Sequence, residues 1–273
     1  MYNKLTNELA VCGINAVRSL SEVHPEKINR LFLREERLPL FTRLCKNLAE
    51  RKRPYKMCDD EELERLCKTS HHQGIVAMIH EPVVEPAAPE DLETWAAAEK
   101  TGLLLCDIGN DLNLGAIVRS AAFFDASPII LTENRFTRKT EVPSPETDSE
   151  PVMDTFVRLS TAAYRAAEGG MEHVEFRSVR SPAAFLRSAS KQLVTIGTDP
   201  RARIRIHDLP KIIQEQRKKK SGIVLVLGNE ETGLPPEVKE FCSILARIPG
   251  TGAIESLNVA QAASLFLQEL YEQ

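Results

Sequence analysis

The first place to look for chemistry is a short stretch near the C-terminal end. Gly228 and Gly233 bracket two acids, Glu230 and Glu231, directly after the apolar run Ile223 to Leu227. The glycine spacing is that of a phosphate-binding loop, but Leu234 stands where such a loop requires lysine. Adjacent carboxylates would also repel a phosphate chain. The glycine-x-glycine-x-x-glycine fingerprint of dinucleotide sites is absent. The ligand that fits is nucleotide-like, and it either lacks a phosphate chain or carries a positive charge. Downstream, Ser256 and Asn258 offer a hydroxyl and an amide where a last helix begins. Upstream, Arg119 lies in Asn113–Ala122, about one turn inside a helix that follows a strand. A cation placed there points near a ligand crevice.

Other candidates are weaker. His71 and His72 are adjacent and precede a strand, but no cysteine or acid stands at metal-ligand spacing, so a turn is the expected role. Six cysteines are scattered without a Cys-x-x-Cys pair, which predicts reduced thiols and no metal centre.

The elements that must position these residues follow from periodicity. Ile223 to Leu227, rich in β-branched residues, predicts a buried strand that ends in a tight turn at Gly228. Pro235-Pro236 opens a short helix. Ile244 to Ile248 predicts a second strand, stopped by Pro249-Gly250. A last helix is expected over Ser256 to Leu270, with Leu257, Ala260, Ala263, Ser264, Leu267 and Leu270 on one face. Further strands are expected at Leu103 to Ile108, Ile129 to Leu131, Val174 to Phe176 and Leu193 to Ile196. Helices are expected at Asn113 to Phe124, Met153 to Glu168 and Pro182 to Ser190. This βαβ alternation predicts a parallel α/β sheet, with ligands beyond the carboxyl ends of its strands.

Three segments, NLGAIVRSAA (Asn113–Ala122), LGNEETGLP and RIPGTGAIESLNVAQAA, carry a resemblance. In order and spacing they resemble the three signature motifs of the SpoU (TrmH-like) group of SPOUT RNA 2′-O-ribose methyltransferases. The likeness covers about residues 100 to 273. A second, over residues 1 to 80, rests on Gly13 to Val17 and His72-Gln73-Gly74, and resembles the group's small substrate-binding domain. The resemblance implies S-adenosylmethionine as cofactor, structured RNA (tRNA or rRNA) as substrate, and a trefoil knot in the C-terminal segment. It also implies a homodimer through that region. Knots run against the general rule for chain topology.

Site residues come from the same resemblance. Arg119 would activate the ribose hydroxyl, either as a base if it is neutral or by stabilising the alkoxide if charged. Asn113 would brace Arg119 or the ribose, and Glu230 would hold the guanidinium. Ser256 and Asn258 would orient the nucleotide. Cofactor contacts, largely main-chain, map to Gly228, Ile248, Leu257 and Thr198. Two positions depart from the pattern. Asp111-Leu112 replaces proline-glycine, and Gly250 replaces methionine; both flank the site.

Composition agrees with two domains. The 273 residues carry net charge −4, but residues 1 to 80 are net +3 and the remainder −7. Eight cations fall between Arg30 and Arg53, and Arg51, Lys52 and Arg53 among them are expected to touch phosphate. The expected division is residues 1–80 for RNA, 81–94 as a proline-rich linker that leaves the first domain free to reorient, and 95–273 for catalysis. Arg217 to Lys220 is a further basic cluster that could meet RNA, and Glu133 to Pro151, with three cations and five acids, is expected as a mobile loop where the resemblance implies RNA contact. No apolar run approaches the ~18 residues of a membrane span, and the N-terminus lacks a signal-peptide pattern. A cytoplasmic protein without membrane contact is expected. The rival reading is an RNA-binding protein of the same fold that has lost methyl transfer.

Overall fold

The structure, a computed structural model, describes residues 2–3, 7–133, 157–217 and 220–271. Its contacts divide into two compact units. The first comprises Met1–Pro82, Asn110–Phe124 and Leu159–Val174; the second comprises Val83–Gly109, Asp125–Arg158 and Glu175–Gln273. Elements are numbered along the chain.

The first unit contains a five-stranded sheet of order β1-β2-β5-β3-β4. Its strands are β1 (Tyr2–Asn3), β2 (Glu8–Cys12), β3 (Ile28–Leu33), β4 (Tyr55–Met57) and β5 (Ile75–His80). Helices α1 (Ile14–Val23), α2 (Leu38–Glu50) and α3 (Asp60–Cys67) surround it. Asp59 caps α3, its side chain accepting from the Glu62 amide at 2.9 Å. The histidine turn also forms as expected. His72 is buried, and its Nδ1 accepts from the Gly74 amide at 3.0 Å, where Gly74 has φ +77°.

Two further helices, α5 (Asp111–Phe123) and α6 (Thr161–Ala167), fold into this same unit, as does a 3-10 turn at Gly170–His173. Helix α6 packs on β2, and α1 packs on the turn. That explains why β2, which periodicity did not reveal, is buried along its whole length. The freedom expected for the N-terminal segment therefore conflicts with this packing. The helix predicted from Met153 begins only at Thr161; residues 153–156 lie outside the described residues. Glu168 and Gly169, both left-handed, end it.

The basic window is largely spent on structure. Arg51 donates to the carbonyls of Pro25 (2.9 Å) and Glu26 (3.3 Å), and Arg53 donates to those of Glu26 (2.8 Å) and Ile28. Arg37 donates to the Gln73 carbonyl, Arg34 pairs with Asp60, and Arg30 pairs with the buried Glu8. These arginines close turns. Arg43, Lys46 and Lys52 remain exposed without such bonds.

The second unit is a seven-stranded, wholly parallel sheet of order β10-β12-β9-β11-β6-β7-β8. Its strands are β6 (Thr101–Leu105), β7 (Ile129–Thr132), β8 (Phe176–Val179), β9 (Val194–Thr198), β10 (Ile204–Arg205), β11 (Ile223–Leu227) and β12 (Ile244–Arg247). Its helices are α4 (Pro89–Ala97), α7 (Pro182–Ala189), α8 (Leu209–Gln216), α9 (Pro236–Lys239) and α10 (Val259–Tyr271). Strand β11 lies between β6 and β9 and is buried throughout, as its β-branched run demands. Leu92 and Trp95 of α4 join Leu104, Ile130, Val224 and Val226 in one core. The segment expected as a linker is partly ordered. Val84 is buried, and Glu85 to Ala87 bond to both backbone groups of Ser178 beside β8.

Two expectations for the last helix change. It begins at Val259, because the Asn258 side chain accepts from the Ala260 amide at 2.8 Å and so caps it; Ser256 lies before it. Phe266, outside the six residues expected on one face, is buried with Ala263, Leu267 and Leu270. Leu265 and Tyr271 are the exposed apolar residues of α10. No described helix is long and apolar enough to cross a membrane.

Candidate functional site

Helix α5 starts where the Asn110 side chain accepts from the Leu112 amide at 2.8 Å, and Asp111 adds a favourable charge to its first turn. Leu114, Ile117, Val118 and Ala121 form its buried face. Asn113 is half-buried, and Arg119 is exposed on the other side. Glycine in mid-helix normally costs stability. Here Gly115 admits α6: a methyl group at that position would meet the Ala163 carbonyl and lie 2.6 Å from Ala166 Cβ. Gly170 makes a second close approach. A methyl group there would lie 3.2 Å from Arg119 Cα. The backbone that carries Arg119 is thus held between two glycine contacts.

In the second unit, Thr198, Gly228 and Ile248 stand at or just past the carboxyl ends of the neighbouring strands β9, β11 and β12. The Thr198 hydroxyl donates to the Val226 carbonyl at 3.2 Å and ties two of these ends together. Gly228 has a steric reason. Any Cβ there would strike the Gly233–Leu234 peptide, with the Leu234 amide nitrogen at 2.5 Å. The loop folds back on itself through an Asn229–Gly233 bridge, and Gly233 turns it at φ +70°. Glu230 and Glu231 are exposed on this loop.

Asn229 organises the loop, and the sequence reading did not single it out. Its Oδ1 accepts from the amides of Glu231 (2.9 Å) and Thr232 (3.1 Å), while its Nδ2 donates to the Asp107 carbonyl at 2.9 Å. An asparagine followed three residues later by threonine is a recognisable side-chain turn and was the available signal. Asp107 has φ +55° at the end of β6. Thr132 steadies it, accepting from its amide at 3.1 Å and donating to its carboxylate at 3.3 Å. A strained residue bonded on both sides is characteristic of a functional strand end. At the next edge, Lys239 Nζ donates to Asp199 at 2.7 Å. Burial opposes the charge on Asp199, but Lys239 and the Arg201 amide outweigh it and hold the carboxyl below its ordinary range.

Pro249 to Asn258, which includes Ser256, Leu257 and Asn258, is exposed at every residue. The predicted cofactor residues thus fall in one unit. Within it, topology brings Thr198, Gly228 and Ile248 to adjacent strand ends, and Leu257 follows on the exposed segment. Asn113 and Arg119 belong to the other unit. The second unit's residues fit S-adenosylmethionine. They offer main-chain groups at strand ends, a glycine fold-back with no room for a side chain, and carboxylates where a phosphate chain would be repelled.

Comparison with known proteins agrees. The SpoU rRNA Methylase family profile matches residues 100–268, and a profile described as RNA 2′-O ribose methyltransferase substrate binding matches residues 10–83. The uncharacterized tRNA/rRNA methyltransferase YfiF of Escherichia coli O157:H7 is 27% identical over 97% of this chain and 68% of its own. The 23S rRNA (guanosine-2′-O-)-methyltransferase RlmB of Nitrosomonas europaea is 26% identical, over 98% of this chain and 93% of its own. Among solved structures, the SpoU methyltransferase AviRb of Streptomyces viridochromogenes, in complex with AdoMet, shares the fold. It has a TM-score of 0.67 and 21% identity, over 98% of this chain and 91% of its own. The chain belongs to the SpoU rRNA methylase family and is an RNA 2′-O-ribose methyltransferase by class.

Proposed function

We propose that the chain methylates a ribose 2′-hydroxyl in a structured RNA, rRNA or tRNA, through Arg119 and the strand-end loops of the second unit. S-adenosylmethionine supplies an electrophilic methyl group when bound. The observation that carries the reading is the arrangement of Thr198, Gly228 and Ile248 at three adjacent parallel strand ends, next to a loop that cannot cradle phosphate. Gly228 lets the loop fold back, Asn229 fastens it to the end of β6, and Glu230 adds an exposed carboxylate to it. Arg119 binds phosphate and stabilises the developing alkoxide as a fixed donor. Asn113, six residues earlier on α5, orients the ribose. Ser256 and Asn258 orient the nucleotide, and Asn258 also caps α10. Leu257 lines the cofactor.

The same reading assigns residues 1–80 to RNA selection, 81–94 to the connection and 95–273 to transfer. It places the protein in the cytoplasm. It implies a homodimer through the knotted C-terminal region, for which Leu265 and Tyr271 supply exposed apolar surface. Light scattering at micromolar concentration tests the dimer, and a monomer would remove it.

The test of activity is transfer of label from methyl-labelled S-adenosylmethionine to rRNA and tRNA, followed by mapping of the modified ribose. Incorporation at one ribose is expected. Tight RNA binding without incorporation would establish instead a binding protein that has lost transfer.

A further inference from the structure

We infer that the turn Gly170–His173 is a latch that couples the substrate-binding segment to the backbone beneath Arg119, with Ser19 and Glu172 as positioning residues. The inference rests on the transferase reading, and it assigns a role to residues outside the three motifs.

Two sides of one short turn carry the argument. On the first side stands α1 with the 3-10 turn that follows it, Pro25–Lys27. The Ser19 hydroxyl donates to the Gly169 carbonyl at 3.0 Å and lies 3.0 Å from His173 Nε2. Asn15 Nδ2 donates to the Glu168 carboxylate at 2.8 Å. The approach is close enough that a methyl group on Gly169 would lie 2.7 Å from Ser19 Cβ. Glu172 has a side chain only 3% exposed, with Lys27 Nζ at 3.6 Å and His24 Nε2 at 4.0 Å. On the second side, Gly170 lies against α5, where a methyl group would be 3.1 Å from the Val118 carbonyl and 3.2 Å from Arg119 Cα. Residues 15–27 fall in the substrate-binding match, and residues 168–173 fall in the methylase match. A shift of α1 therefore has a direct steric path, through the turn, to the peptide that carries the arginine.

The electrostatics make the contact conditional. Burial raises the affinity of Glu172 for its proton, against the pull of Lys27 and His24. The other titratable groups facing it are His173 and Tyr164 of α6, and Glu26 engages His24 from the solvent side. A carboxyl that holds its proton more tightly when docked favours docking at low pH, and this advantage fades as pH rises through its raised value. Above that range the latch depends on Lys27 and His24. A buried charge that loses its partner is costly.

The experiment uses the full chain with Ser19→Ala, Glu172→Gln and the double variant. Amide hydrogen exchange over residues 161–174, affinity for S-adenosylmethionine, and kcat and KM for RNA are measured. The double variant should exchange faster over 168–173. Its kcat should fall about tenfold, because small misplacements of a reacting group carry penalties of that order. KM should stay within about threefold, because the RNA-facing cations are untouched. Cofactor affinity should not change. The ratio of wild-type to Glu172→Gln kcat should vary with pH, a signature that a purely structural contact would lack. Unchanged exchange, or faster exchange with wild-type kcat at every pH, overturns the coupling. Ser19→Ala removes one hydroxyl and keeps the test open if Glu172→Gln fails to fold. A wild-type chain inert on every RNA would sink the transferase reading, and the positioning role with it. That outcome is distinct from an active wild type whose variants match it.

Discussion

Helix α5 and the segment Pro249 to Asn258 both carry motif residues, and they are built in opposite ways. Four buried apolar side chains anchor α5, and two glycine contacts clamp it. Pro249 to Asn258 is exposed throughout, with Ile254 71% and Leu257 41% accessible. Ahead of the Asn258 cap its bonds are long: the Ala253 amide to the Thr251 hydroxyl at 3.4 Å, and Arg201 to Glu255 at 3.5 Å. If Arg119 acts as proposed, its clamped helix lowers the reorganisation needed at the barrier. The exposed segment proposed to meet the cofactor would be fixed only at an entropic cost on binding.

Six substitutions probe that contrast and its surroundings. Arg119→Ala should produce the largest effect, a loss of transfer of about 10²–10⁴-fold, with cofactor affinity retained; equilibrium binding and single-turnover rates together would show it. Arg119→Lys should fail as well, since lysine lacks the planar fork. Wild-type turnover in either variant would remove Arg119 from the site.

Glycine replacements should then separate the two regions. Gly228→Ala drives a methyl group into the Gly233–Leu234 peptide and should weaken cofactor binding tenfold or more, by about 1–3 kcal/mol of overpacking. Titration calorimetry would read this loss. Gly115→Ala pushes against the Ala163 carbonyl and should lower the melting temperature and kcat while leaving cofactor affinity alone. If both variants lose the same property, the contrast is wrong.

Smaller still is Asn258→Ala, which removes the cap of α10 and should cost about 1 kcal/mol in denaturant unfolding. Last comes acid sensitivity at the Asp199–Lys239 pair. The native carboxyl titrates below its ordinary range, so its stabilising contribution is present above the unfolded value and is lost as pH falls through the depressed one. Asp199→Asn should flatten that part of the stability curve, and an unchanged acid limb would show that the pair contributes nothing.

Several of the strands that matter were legible. Ile223 to Leu227 forms a strand over the residues expected, and the histidine turn behaves as its chemistry predicts. The difficulties lie where tertiary context overrides local pattern. The cations of Arg51 and Arg53 looked like a phosphate contact, but the carbonyls of Pro25, Glu26 and Ile28 accept from them. Phe266 lies off the single apolar face expected for the last helix, yet the fold buries it. Asn258 displaced Ser256 as the cap because both residue types favour that position and sequence alone does not rank them. The packing of α6 against β2 was invisible, since it joins segments far apart in the chain and α6 is short. It also changes what truncation would do. Removing residues 1–85 would strip the partner surfaces of α6 as well as the exposed cations Arg43, Lys46 and Lys52.

The placement of β11 has a consequence for how the protein is made. Strand β11 sits in the middle of the seven-stranded sheet, yet it is the second-to-last strand to be synthesised. Until it arrives, β6 and β9, its neighbours on either side, each present an unpaired edge, and the two halves of the sheet have no strand between them. Closing the sheet requires pairing across a long stretch of chain, which slows folding and prolongs the exposure of sticky edges. Refolding of the full chain should therefore be slow and sensitive to concentration. Chains that stall on the ribosome before Leu227 should be the form that chaperones or proteases encounter.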